Sequence, residues 1–262
     1  MARAAAAAAQ APREFLASIG TDGIPHGSRI DKDGKPAGTF LDHLSGTEDK
    51  LREWGCDEAV CLAGLFHSVY GTEGFQGFTL PLEERGSVAE LIGPRAERAA
   101  FFNCVMDRSS LDTMVIEHWR RGKGPADDPA GELRCRPNAK TGFDGSERFV
   151  LSAQDLSDLI QVHLADDLEG FEHQMNKPGI SCINHTLDGE EGHYSIPHQG
   201  WFGYRQQSFD AMAHILGGVI LEDWRYHLST VPPGSQPAVW VPGPPPIELE
   251  SNAIYRESAS KL

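Results

Sequence analysis

No hydrophobic run in this chain approaches the roughly 20 apolar residues that a membrane-spanning helix needs, so no transmembrane helix is expected. Positive charge is also scarce: 23 Lys and Arg stand against 38 Asp and Glu, a formal net charge of −15. No basic stripe gathers phosphates, which argues against a nucleic acid as the main partner and leaves room only for a local pocket for a small anion. The five cysteines (Cys56, Cys61, Cys104, Cys135 and Cys182) are odd in number and form no C-x-x-C pair. Reduced thiols in a cytoplasmic protein account for them most simply. There is no internal repeat and no period-two alternation that would mark strands. The opening "MARAAAAAAQAP" has too little hydrophobic bulk for a secretory signal. It reads as a disordered or weakly helical tail over residues 1–12, a processed targeting segment being the other reading.

What is present is helical. The 262 residues, 40% of them hydrophobic, suffice for one large domain with an extension. Leu41, Leu44, Leu51 and Trp54 recur at helical spacing from Phe40 to Trp54, with Gly55 as a stop. Asp57 is placed to cap a second helix running to about Tyr70, and its "AVCLAGLF" is apolar nearly all round, which predicts a buried central helix. "SVAE" (Ser87–Glu90) reads as a capping box opening a short helix, and Gly93-Pro94 starts another. Residues Gly122 to Ser146 are rich in Gly, Pro and charge and read as a long loop. A long helix from Ser152 to Glu172 carries the stripe Leu156, Leu159, Ile160, His163, Leu164 and Phe171, with Ser152 and Asp155 spaced as a cap pair. Asn176 to Gln199 look irregular, one last amphipathic helix spans Phe209 to Trp224, and a proline-rich tail follows Val231. The expectation is an all-α fold: a tail (1–12), a helical-bundle domain (13–175) and a C-terminal extension (176–262).

Most of the 11 histidines have ordinary readings. His118, His173, His214 and His227 read as structural or exposed, and His163 as a satisfied core residue. His185, His193 and His198, with Asp188, Glu190 and Glu191 nearby, have spacings that match no compact ligand motif. His43 and His67 differ, because each sits in an apolar helical pattern and a short loop makes the two helices antiparallel neighbours. A buried imidazole there needs a partner for each ring nitrogen, or a metal for one of them. A carboxylate from a third element would complete such a site. At about 100° per residue, Asp158 and Asp167 point away from the stripe, while Asp166 lies only about 20° from the direction of Leu159. Asp158 and Asp167 are therefore expected in solvent, and Asp166 on the flank of the buried face, where a charge needs a counter-charge or a cation.

Four blocks in order carry a family resemblance. "HGSRIDKDGKPAGTFLDH", "LREWGCDEAVCLAGLFHSVYGTE", "SVAELIGPRAERAAFFNCVMDRSSL" and "LIQVHLADDLEG", over roughly His26 to Phe171, resemble the hydrolase domain of the RelA/SpoT (p)ppGpp enzymes, a member of the HD superfamily. That resemblance implies an HD-like helical bundle, with His43, His67 and Asp166 as ligands of one divalent ion (Mn, Fe, Mg or Zn). It makes Arg29 a substrate-positioning residue, and it passes over Asp107 in "MDRSS" in favour of the later block.

The departures are equally specific. The His-Asp pair is His67-Ser68 here, the family's catalytic Glu-Asp pair aligns with Gly71-Thr72, and Asp167, Glu169 and Gly170 replace its basic pair and terminal Asn. Loss of both acids argues against hydrolysis of ppGpp itself. Three readings follow. One is a divergent metal-dependent hydrolase of a small, most naturally phosphorylated, substrate, with Glu73 or His26 as base. The second is a non-haem iron oxygenase in which Ser68 and Thr72 contact substrate. The third is an inactive HD-like binding module.

Overall fold

The structure, a computed structural model, describes residues 11–30, 36–73, 75–122, 133–138, 148–175 and 201–230, with the side chains at 28–30, 170–175, 201–207 and 230 left aside. The expected tail up to residue 10, the irregular segment from Asn176, the His185–His193–His198 group and the proline-rich C-terminus lie outside these residues.

The fold is all-α. Helix α1 spans residues 11–18, so the last two residues of the expected tail are already helical. It is followed by α2 (Phe40–Glu53), α3 (Glu58–Leu65), α4 (Arg85–Ile92), α5 (Pro94–Val105), α6 (Arg108–Arg120), α7 (Ala153–Met175), α8 (Trp201–Leu216) and α9 (Gly218–Thr230). Gly55 ends α2 with φ of 73°, as its position suggested, and Pro94 opens α5. The Ser152–Asp155 cap pair ahead of α7 forms in both directions: Ser152 N donates to Asp155 Oδ2 (2.9 Å) and Asp155 N to Ser152 Oγ (3.1 Å).

Several boundaries differ from the sequence expectation. α3 stops at Leu65 rather than near Tyr70, because the chain tightens into successive turns through residue 70. α4 begins at Arg85, which places Ser87 inside the helix rather than at its cap. The last helix is two, broken at Gly217 and Gly218, whose φ angles of 67° and 52° favour glycine and end α8. Two short antiparallel hairpins also form: β1 (Pro25–Ile30) with β2 (Pro36–Thr39), and β3 (Arg134–Cys135) with β4 (Phe149–Val150). The β1–β2 register is irregular between His26 and Ile30, and the β3–β4 strands have two residues each, so no period-two signal accompanies them.

The chain forms two compact units, Met1–Cys104 with Gln161–Gln174, and Val105–Ile160 with Met175–Leu262. Leu16, Phe40, Leu44, Leu51, Leu65 and Phe66 are fully buried in the first. In the second, α6 packs on α8 and α8 on α9, burying Leu111, Val115, Phe209, Met212 and Trp224. Residues 162–169 of α7 are buried without interruption. Asp158 and Asp167, expected in solvent, are therefore buried at 3% and 7% exposure. Each has local company: Asp158 accepts from Gln154 Nε2 (2.7 Å), and Asp167 lies 3.6 Å from His163 Nε2. No described helix is long and apolar enough to cross a membrane, and Cys56, Cys61, Cys104 and Cys135 form no disulfide.

Candidate metal centre

Local chemistry places each converging side chain. A capping box starts α2, with Asp42 N donating to Thr39 Oγ1 (3.1 Å) and Thr39 N to Asp42 Oδ2 (2.8 Å). The Phe40 amide also donates to Ile24 O (2.7 Å), tying the helix start to the residue before β1. Fixing that first turn directs Phe40, His43, Leu44 and Thr47 inward, at the i, i+3, i+4, i+7 spacing of one helix face.

His67 lies two residues past the end of α3, in the turns that close over it. Its carbonyl accepts from Asn103 Nδ2 (2.9 Å) and Cys104 Sγ (3.0 Å), both on α5. Gly64 brings α3 against α2: a Cβ there would overlap Leu51 Cδ1 and lie 3.4 Å from Thr47 Cγ2 and 3.7 Å from Glu48 Cα. Asp166 comes from the buried stretch of α7, at 8% exposure.

The three side chains meet. His43 Nε2 lies 3.1 Å from His67 Nε2 and 3.2 Å from Asp166 Oδ1, and His67 Nε2 lies 3.3 Å from the same oxygen. The far nitrogens determine which way the rings are protonated. His67 Nδ1 is 2.6 Å from Gly64 O, an atom that only accepts, so Nδ1 carries the hydrogen. His43 Nδ1 is 2.8 Å from Glu169 Oε2, and a carboxylate likewise accepts. With both imidazoles neutral, two Nε2 lone pairs and a carboxylate oxygen face one another with no hydrogen between them. Such a triangle is stable only around a positive charge. With bonds of about 2.1 Å, an ion holds its ligands about 3.0 Å apart in an octahedron and about 3.4 Å apart in a tetrahedron, which brackets the observed edges. This buried His-His-Asp cluster can bind a metal ion.

In the metal-free protein a proton fills the same role. Burial opposes charge on His43, but hydrogen bonds to Asp166 and Glu169, with their negative charges, outweigh it and raise its pKa to about 9. His26 behaves oppositely. Its ring stacks on that of His43 (centroids 4.3 Å apart, planes 13° apart), and Phe75 meets it edge-on at 4.8 Å. Burial, with the neighbouring His43 charge, lowers its pKa to about 3, so it is neutral at ordinary pH and a feeble base. His26, Phe40, Phe75 and Phe78 form an aromatic wall beside the cluster: Phe40 lies 4.7 Å from Phe75 and 5.8 Å from Phe78, centroid to centroid.

The other sequence candidates lie as follows. Thr72 Oγ1 accepts from the Phe75 amide (3.0 Å) and so closes a turn in the segment after α3. Glu73 is half-buried on that segment, and Ser68, next to His67, is buried at 4% exposure. Arg29 lies on β1, its side chain outside the described residues. Asp107 instead caps α6, accepting from the Ser110 amide and pairing with Arg136 at 2.6 Å.

Glu169 escaped the sequence reading, where it counted only as a departure from the family pattern. Its position three residues after Asp166 puts both on one helix face, the available signal. Asn103 and Cys104, which hold the His67 carbonyl, had no distinguishing pattern.

A domain family of unknown function, DUF6817, matches residues 28–108, a stretch that contains His43 and His67 and ends before Asp166. No curated protein and no solved structure matches the chain.

Proposed function

We propose that the protein is a mononuclear metal-dependent hydrolase of a small molecule, built on an HD-like helical scaffold. The observation that carries this is the meeting of His43 Nε2, His67 Nε2 and Asp166 Oδ1, 3.1–3.3 Å apart in a buried setting. A divalent ion bound there would supply a water that ionises near neutral pH. The chain's residues do the rest. His43, His67 and Asp166 would hold the ion. The His26–Phe75 wall screens one flank. Hydrolysis consumes one water: its oxygen bonds to the substrate's electrophilic centre, and the leaving group departs with a proton. Glu73, the acid that follows the lost family pair in the sequence, takes the base role in this reading. The family resemblance supports a phosphoester substrate, and the odd number of cysteines supports a cytoplasmic setting.

A second reading has its own support. Two imidazoles with one carboxylate make up the ligand set of non-haem Fe(II) oxygenases, and Ser68 stands where the resembled family has a further, metal-binding Asp. Metal analysis of purified protein, followed by a panel of phosphoesters and an oxygen-uptake assay, separates the possibilities. Stoichiometric Mn, Mg or Zn with phosphate release supports hydrolysis; iron with oxygen-dependent turnover supports the second reading. His43→Ala, His67→Ala and Asp166→Ala are each expected to lose at least nine-tenths of the bound metal. Undiminished metal in all three would end the assignment, leaving a binding module without chemistry.

A further inference from the structure

Glu169 is buried at 2% exposure, and its Oε2 lies 2.8 Å from His43 Nδ1, the ring nitrogen turned away from the cluster. A buried carboxylate needs a donor, and the distal nitrogen of a residue that already faces Asp166 and His67 supplies one. We infer that Glu169 is a positioning residue that holds His43 in the tautomer with Nε2 free, and so sets the affinity and electronic character of the metal centre. The inference rests on the metal reading above and adds a fourth residue to the site.

The geometry constrains the function. A neutral imidazole that donates from Nδ1 to a carboxylate must present its Nε2 lone pair inward, and the negative charge behind the ring makes that nitrogen a stronger donor to a cation. His67 is anchored differently: its Nδ1 donates to a neutral backbone carbonyl, Gly64 O, at 2.6 Å. The two ligands are thus unequal, one backed by a full charge and one by a peptide dipole. Asp166 and Glu169 lie three residues apart on α7, so one helix face supplies both a ligand and the group behind another ligand. With a divalent ion and two neutral imidazoles, the two carboxylates bring the centre to zero net charge.

Co(II) is the probe, because its visible absorption reports ligand strength and geometry, with Zn(II) competition giving the affinity. Glu169→Gln keeps the volume but removes the charge, and its amide can donate to Nδ1 and stabilise the wrong tautomer. The expected result is Co(II) binding weakened about 10- to 100-fold with shifted absorption bands. Glu169→Asp, which keeps the charge on a shorter arm, should recover part of the affinity and move the bands back toward the wild type. Identical affinity and spectrum in wild type and Glu169→Gln would overturn the inference while leaving the metal site standing. If wild-type protein takes up neither Co(II) nor Zn(II), the metal reading and this inference fall together. Should the Gln variant not fold, the Asp variant decides: a wild-type affinity and spectrum overturn the inference, and weakened binding with shifted bands sustains it.

Discussion

At the scale of single residues, the feature with the most direct consequence is the proton that His43 holds when no metal is present. The groups facing it are Asp166 and Glu169 on α7, His67 after α3 and His26 on β1. The two carboxylates raise its pKa from 6.5 to about 9 in the folded chain. A raised pKa means that folding is favoured by the protonated form. The stabilisation is fully present below the unfolded value near pH 6.5 and is lost as pH rises through about 9, amounting to about 3 kcal/mol. Metal-free protein should therefore lose thermal stability between about pH 6.5 and 9, and His43→Gln should flatten that slope. Melting curves of the two proteins across this range provide the check; equal slopes would contradict the assigned partners. A bound metal takes the proton's place, so loading it should also release a proton in this window, measurable in weakly buffered solution. The two histidines stood out in the sequence for a physical reason, since a histidine in an otherwise apolar helical pattern must find a partner. Periodicity put Asp166 beside the buried stripe, but only the family resemblance joined it to them, and the same periodicity misplaced Asp158 and Asp167 in solvent. Glu169 was not legible, because one acid among several on a helix says nothing of its partner until the second helix is in place.

At the scale of elements, the close approach of α2 and α3 decides whether the two imidazoles meet. Gly64 permits it, since any side chain there would press on Leu51 and Thr47, and its carbonyl also holds His67 Nδ1. Gly64→Ala is expected to destabilise the protein by about 1–3 kcal/mol through overpacking against the fully buried Leu51. It should also weaken Zn(II) binding more than a stability-matched core substitution elsewhere, such as Val115→Ala in α6. Equal metal affinities in the two variants would show that the α2–α3 spacing does not govern the site. Helix cores such as "AVCLAGLF" and the cap pair Ser152–Asp155 were readable because they rest on neighbours within a turn or two. The end of α3 was not. The apolar pattern continues to Tyr70, but the turns after Leu65 are held by contacts from α5, where Asn103 and Cys104 bind the His67 carbonyl. The β1–β2 hairpin was hidden likewise, because its strands carry Pro and Gly and pair across an irregular register that no local alternation records.

At the scale of the whole chain, every ligand of the candidate centre belongs to the first compact unit, although Asp166 is 99 positions from His67 and arrives on a helix that begins in the second. A metal at this point would tie the start of α2, the turns after α3 and the later half of α7 together. Binding to the folded state alone stabilises it by about 2.7 kcal/mol when free metal is 100 times its dissociation constant. That gain should reach only the amides whose opening breaks the site. Hydrogen exchange with and without Zn(II) is therefore expected to slow in residues 40–53, 61–70 and 161–169. α8 and α9, which carry none of the three converging side chains, serve as the internal reference and should exchange at unchanged rates. Slowing confined to one of the three ligand-bearing segments would mean that the ion is held by fewer groups than the triangle offers. Protection spread evenly over α8 and α9 as well would mean that the ion acts through global stability, and the case for a local centre would then rest on the ligand variants alone.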